Sequence, residues 1–142
     1  SRGLGDVYKR QLYCGRDTGA GEIGSIPYLD RDYEYYCSSR FFVGRGTTGK
    51  EAYERAAAGD PEALALWREF GGHVGQLVML VLYTYDPEAI VFGGSIAHAF
   101  GFFREAMYEQ LKRFPYAKTV EGLHICCSNI DHVGLLGASA CE

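Results

Sequence analysis

The chain has 142 residues, 47% of them hydrophobic and 23% charged, and a formal charge of -4. That is about one domain with enough apolar material for a packed core, which excludes a disordered segment. The acidic balance and the lack of a visible basic patch speak against a nucleic-acid surface, and the longest purely apolar run, Leu77 to Tyr83, is far short of the roughly 20 residues that cross a bilayer.

Residues 1–11 show no apolar periodicity and run without a visible join into Leu12-Tyr13-Cys14-Gly15. They read as a remnant of cloning or sequence assembly and are set aside from fold reasoning, which leaves 12–142 as the domain proper. No apolar core of a signal peptide is present in them, and a cytoplasmic location is the expectation. From Gly15 to Gly24 the chain is a glycine-rich turn in which Glu22 is closely flanked by glycines on both sides. Such a carboxylate is either a solvated loop acid or an acceptor for the hydroxyls of a sugar, since Glu offers several acceptor sites.

Residues 26–42 crowd Tyr28, Tyr33, Tyr35, Tyr36, Phe41 and Phe42 among Asp30, Asp32 and Glu34. Acidic neighbours disfavour base stacking, so packing or a partner contact is expected. Gly44 to Lys50 has the Gly-x4-Gly-Lys spacing of a phosphate loop, but Glu51 stands where a magnesium-binding Ser or Thr would follow and no buried strand leads in. Helix initiation accounts for it better, with Thr48 as N-cap and Glu51 closing a capping box. That helix runs to Gly59.

Asp60-Pro61-Glu62 starts a second helix, expected to reach about Tyr85. Leu66, Phe70, Val74, Leu77, Val81 and Tyr85 form its stripe, broadened by Leu64, Trp67, Val78 and Leu82. Gly71, Gly72 and Gly75 interrupt it and point to a close approach by a helix or a ligand. His73, with no second His or Cys at ligand spacing, reads as an ordinary packed or surface histidine in preference to a metal ligand or base.

Asp86 to Phe92 ends in a short β-branched run, followed by Gly93, Gly94 and Ser95 and then an amphipathic segment, so strand, tight turn and helix are expected. Glycines there either serve the turn's dihedrals or let the backbone approach a phosphorylated or nucleoside ligand. The helix is expected from about Ala97 to Phe114, ended by Pro115, with Phe100, Phe103, Met107 and Leu111 inward. Leu123 to Ser128 reads as a strand and 134–140 as a closing helix. Strand, helix, strand, helix at this spacing implies a parallel βαβ unit and an α/β layered domain. The five cysteines, Cys14, Cys37, Cys126, Cys127 and Cys141, have no metal or disulfide spacing, and reduced thiols are expected.

Three segments in this order, Gly19-Ala20-Gly21-Glu22-Ile23-Gly24, Asp86 to Ser95, and Leu135-Leu136-Gly137-Ala138-Ser139-Ala140, resemble the ROK family of sugar kinases and sugar-responsive repressors over roughly residues 12–140. The resemblance implies an actin-like ATPase (ribonuclease H-like) fold, here the C-terminal lobe, truncated at the amino terminus. It implies that Glu22 and Ser25 serve a hexose and that Gly93, Gly94 and Ser95 lie against the adenosine part of ATP. Ser25 stands where family members often have His. Only Cys37 falls where the family's zinc loop would be, so the chain is similar to the zinc-free, glucokinase-like branch and no zinc is expected. The family's Asp-x-Gly-Gly-Thr phosphate loop and Asn-Asp pair do not occur, so no catalytic residue is assigned. The parent protein is expected to phosphorylate a hexose, glucose or a close relative, with ATP and magnesium, and this chain alone is not. A homo-oligomer is expected and a membrane partner is not. The alternatives are the sugar-sensing domain of a ROK repressor, the one case with a nucleic-acid partner, and a non-catalytic sugar-binding module.

Overall fold

The computed structural model describes residues 22–128 in full and the backbone of two short strands before them. Those strands, β1 (Asp6–Tyr8) and β2 (Gln11–Tyr13), pair antiparallel as a hairpin. β1 falls within the leader set aside above; its β-forming residues sit in a run too short to show a period. The glycine-rich turn before Glu22, Cys14, Cys141, and the closing helix expected over 134–140 lie outside the described residues.

The molecule is built on the expected long helix, here α4 (Pro61–Tyr85), which runs 25 residues. Asp60 caps it by accepting from the Glu62 amide at 3.0 Å, and Pro61 opens the first turn. It ends at Asp86, in left-handed backbone with φ 44°. The buried face is Ala63, Trp67, Phe70, Gly71, Val74, Gly75, Val78 and Leu82, joined by Met79 and Val81. This is rotated from the expected stripe: Leu66 and Leu77 are only half-buried and Tyr85 is exposed. A helix apolar nearly all round has no unique face by period, and here the small residues decide it.

Gly71 and Gly75 are the reason α5 (Phe100–Leu111) lies so close. A Cβ on Gly71 would run into the Phe103 carbonyl, and one on Gly75 would sit 2.9 Å from the Met107 carbonyl and 2.5 Å from Gln110 Cβ. The expected close approach is therefore between helices. Gly72 faces away, with only Gln110 Nε2 at 3.8 Å. Phe103, Met107 and Leu111 are the buried residues of α5, and Phe100 packs at its start, 5.3 Å from Phe103 between ring centres. The expected start of this helix at Ala97 needs correction: Ser95–Ala99 is a 3-10 turn, and α-geometry begins only at Phe100. Two glycines leave the chain without a capping side chain, and the tighter turn satisfies the first amides.

α3 (Gly49–Ala57) confirms Thr48 as N-cap, its Oγ1 accepting from the Glu51 amide at 3.1 Å. The other half of the expected capping box is replaced: the Glu51 carboxylate accepts from the Thr47 hydroxyl at 3.0 Å. What precedes the Walker-like glycines is α2 (Arg40–Val43), a helical turn and not a strand, so the phosphate-loop reading stays rejected.

β5 (Ala89–Phe92) and β6 (His124–Cys127) pair in parallel, Ala89 with His124 through Phe92 with Cys127. The crossover that parallel strands require is α5 followed by α6 (Ala117–Glu121). The βαβ unit is thus as expected. The core joins this unit to α4: Phe42 and Trp67 meet at 4.4 Å, Phe70 and Phe103 at 5.3 Å, Phe92 and Phe103 at 5.9 Å. Cys37 and Cys127 are free thiols, but Cys126 is disulfide-bonded, which corrects the expectation of reduced thiols throughout.

Candidate functional site

Two loops carry the residues singled out from the sequence. In the first, Ile23–Ser25 forms a 3-10 turn with Glu22 as its N-cap, closed by the Ser25 amide donating to the Glu22 carbonyl at 3.1 Å. Ile23 is buried, Glu22 is half-buried and Ser25 is exposed. A carboxylate and a hydroxyl at the two ends of one short turn supply groups that can accept from and donate to a sugar's hydroxyls.

The turn has a seat. Gly24 lies against α1 (Tyr33–Tyr36), where a Cβ would come within 3.3 Å of Glu34 Cβ, and the Tyr33 amide donates to the Ile26 carbonyl at 3.3 Å. Between them β3 (Pro27–Tyr28) and β4 (Arg31–Asp32) make a minimal antiparallel hairpin, and Asp32 caps α1 through the Tyr35 amide at 2.8 Å. The crowded aromatics pack, as expected: Tyr28 stacks on Tyr33 at 4.3 Å, and Phe41 and Phe42 are fully buried. Tyr36 donates to Asp30, a pairing the sequence signalled only as interleaved acids and rings. This hydrogen bond lowers the Asp30 pKa.

His73 of α4 is packed, as read from the sequence, under rings from three elements: Tyr28 at 5.6 Å, Tyr36 at 4.7 Å and Phe41 at 5.7 Å. Its Nδ1 meets the Tyr28 hydroxyl at 2.8 Å. Burial pushes the Tyr28 hydroxyl up to about 12, so it stays protonated; which of the two groups donates is set by the histidine tautomer. Burial likewise lowers the His73 pKa, against the pull of Glu69. The sign follows from linkage: the unfolded chain takes up the proton first, so the stability His73 contributes is fully present above the ordinary value near 6.5 and is lost as pH falls below it toward the folded value. Urea midpoints should therefore drop between pH 7.5 and pH 5.5, and the drop should shrink in His73→Gln.

In the second loop, Gly93, Gly94 and Ser95 follow β5. Gly94 has φ 75° and ψ -167°, a region open essentially to glycine alone, while a Cβ there would meet nothing within 4 Å among the described residues. The dihedrals demand glycine. Gly94→Ala should cost about 1–3 kcal/mol in a denaturation experiment from backbone strain alone. Gly93 and Ser95 are exposed beside it. A groove of about 710 Å³ between α4 and α5, bordered by Arg68, Arg104, Tyr108 and Lys112, contains none of the predicted site residues.

Zinc has a poor donor set here: Cys37 is a single thiol pushed up to about 12 by burial, and no three His, Cys, Asp or Glu side chains come together among the described residues. Among them, too, no helix is long and apolar enough to cross a membrane.

The fold matches solved structures. A ROK family transcriptional regulator, a homologue of the E. coli MLC protein, superposes with a TM-score of 0.79 at 19% identity, covering 93% of this chain and 40% of that one. A putative sugar kinase from Cytophaga hutchinsonii gives 0.78 at 17% identity, covering 88% and 48%. A ROK family glucokinase from Streptomyces griseus, in complex with glucose and AMPPNP, gives 0.72 at 20% identity, covering 97% and 54%. The chain thus spans about half the length of the structures it matches. No curated protein matches it. The long helix packed on a parallel βαβ unit therefore defines the mixed α/β class of domain shared by these kinases and regulators. The ROK family model matches residues 2–141, and the chain belongs to the ROK family.

Proposed function

We propose that the chain is the C-terminal lobe of an ATP-dependent hexose kinase of the glucokinase-like, zinc-free branch. The observation that carries this reading is the Glu22–Ser25 turn, which places a half-buried carboxylate and an exposed hydroxyl at its two ends with Ile23 buried between them. Glu22 and Ser25 accept from and donate to hydroxyls of the sugar, glucose or a close relative. The open backbone at Gly93 and Gly94, with Ser95, lies against the adenosine part of ATP. ATP supplies the phosphoryl group; this lobe orients the sugar and the nucleotide. Magnesium is required by the chemistry of phosphoryl transfer, and no cluster of acidic ligands for it lies among the described residues. The working enzyme is a cytoplasmic homo-oligomer.

The Asn-Asp pair that the family resemblance implies for the base toward the sugar hydroxyl does not occur in this sequence, so activity is assigned to the native protein and not to the 142-residue chain. A coupled assay of hexose phosphorylation with ATP and magnesium tests both halves: the native protein turns over and the isolated chain does not. Turnover by the isolated chain would refute the second half. The likeness to a transcriptional regulator supports a second reading, a sugar-sensing repressor domain. No phosphorylation, with DNA binding relieved by sugar, would select it.

A further inference from the structure

We propose that Tyr28 and His73 are positioning residues for the sugar: their hydrogen bond ties the Glu22–Ser25 turn to α4. The inference rests on the sugar-binding reading of that turn. The turn rests on α1: a Cβ on Gly24 would come within 3.3 Å of Glu34 Cβ, and the Ile26 carbonyl accepts from the Tyr33 amide. A helix of four residues cannot stand alone, so α1 in turn depends on α4. The polar link between the two layers is the Tyr28 hydroxyl on His73 Nδ1 at 2.8 Å, with the Tyr28 ring stacked on Tyr33 of α1 and Tyr36 of α1 against the imidazole. Any tilt of Tyr28 moves Tyr33, and Tyr33 carries the bond to Ile26, the residue after Ser25.

The bond holds in either tautomer, since a tyrosine hydroxyl can donate or accept. Nε2 is buried and makes no hydrogen bond among the described residues; Glu69 Oε1 is 3.7 Å away. The groups facing the imidazole act on its charge in both directions. Glu69 favours the proton, but Arg45 already pairs with Glu69 at 2.8 Å and opposes it. Tyr28 and Tyr36 are neutral around it, Tyr36 being bonded to Asp30, and Tyr33 and Cys37 lie beside Tyr28.

The test is glucose titration of the native protein by calorimetry for wild type, Tyr28→Phe, His73→Leu and the double variant. Tyr28→Phe keeps the ring stack and loses the bond, and should weaken sugar binding about tenfold, while ATP affinity stays within about twofold of wild type. His73→Leu removes the same bond from the α4 side and should weaken sugar binding by a similar factor, with no further loss in the double variant. If Tyr28→Phe does not fold, His73→Leu decides by its glucose affinity against its ATP affinity. Wild-type glucose affinity in the single variants, or losses that simply multiply in the double variant, would overturn the inference and leave the sugar reading standing. Wild type that binds no hexose would instead overturn the sugar reading, and the inference with it.

Discussion

On the kinase reading, replacing Glu22 with Gln should raise the glucose KM of the native protein roughly ten- to a hundredfold while leaving the KM for ATP nearly unchanged. The charge is what matters. A hydrogen bond to an ionised group contributes about 1.5–3 kcal/mol, against about half that for a neutral pair, and a carboxylate on two hydroxyls loses the difference twice when it becomes an amide. Two such losses come to about 1.5–3 kcal/mol, which is roughly ten- to a hundredfold in affinity. The substitution is nearly isosteric, and the backbone bond from Ser25 to the Glu22 carbonyl does not involve the side chain. The turn's own backbone bond is therefore kept in the variant. Steady-state kinetics in both substrates checks the split; equal loss toward glucose and ATP would mean that Glu22 supports the fold and not the sugar.

The largest effect on stability should come from Gly71→Val. The added Cβ meets the Phe103 carbonyl, Phe103 Cβ at 3.1 Å and Ala106 Cβ at 2.9 Å, so α4 and α5 must separate along the centre of the core. Overpacking of this kind costs about 3 kcal/mol, and a domain of this size loses about 4 °C in Tm per kcal/mol, which places the fall near about 12 °C. Gly72→Ala, one residue away, should do the reverse. Its Cβ meets only Gln110 Nε2 at 3.8 Å, so the gain in helix propensity, about 1 kcal/mol, is kept. Thermal melts of the two variants side by side separate packing from propensity.

Much of this architecture is legible in the sequence because local rules and tertiary packing agree. Thr48, Asp60 and Pro61 mark helix starts whatever surrounds them, and both caps are where they are expected. The strand, glycine turn and second strand of the βαβ unit follow from period and punctuation. What was less legible depends on which residue meets which. The rotation of the α4 face is set by Gly71 and Gly75 fitting α5, information carried by a pair of helices and not by one. The 3-10 start before Phe100 reflects two consecutive residues without capping side chains. The Tyr28–His73 bond joins residues 45 apart, and no spacing rule links a ring in a two-residue strand to an imidazole in a long helix. The candidate site divides the same way: the glycines announce both loops, but the 3-10 turn that puts Glu22 and Ser25 at its two ends is a turn type the sequence alone does not specify.

The central claim is that Glu22 and Ser25 hold a hexose while Gly93 and Gly94 meet the nucleotide. A crystal structure of the native protein with glucose and a non-hydrolysable ATP analogue tests it most directly. The account predicts sugar hydroxyls within hydrogen-bond distance of the Glu22 carboxylate and the Ser25 hydroxyl, and adenosine against the Gly93–Gly94 main chain. Glucose bound elsewhere, with Glu22 turned to solvent, would contradict it.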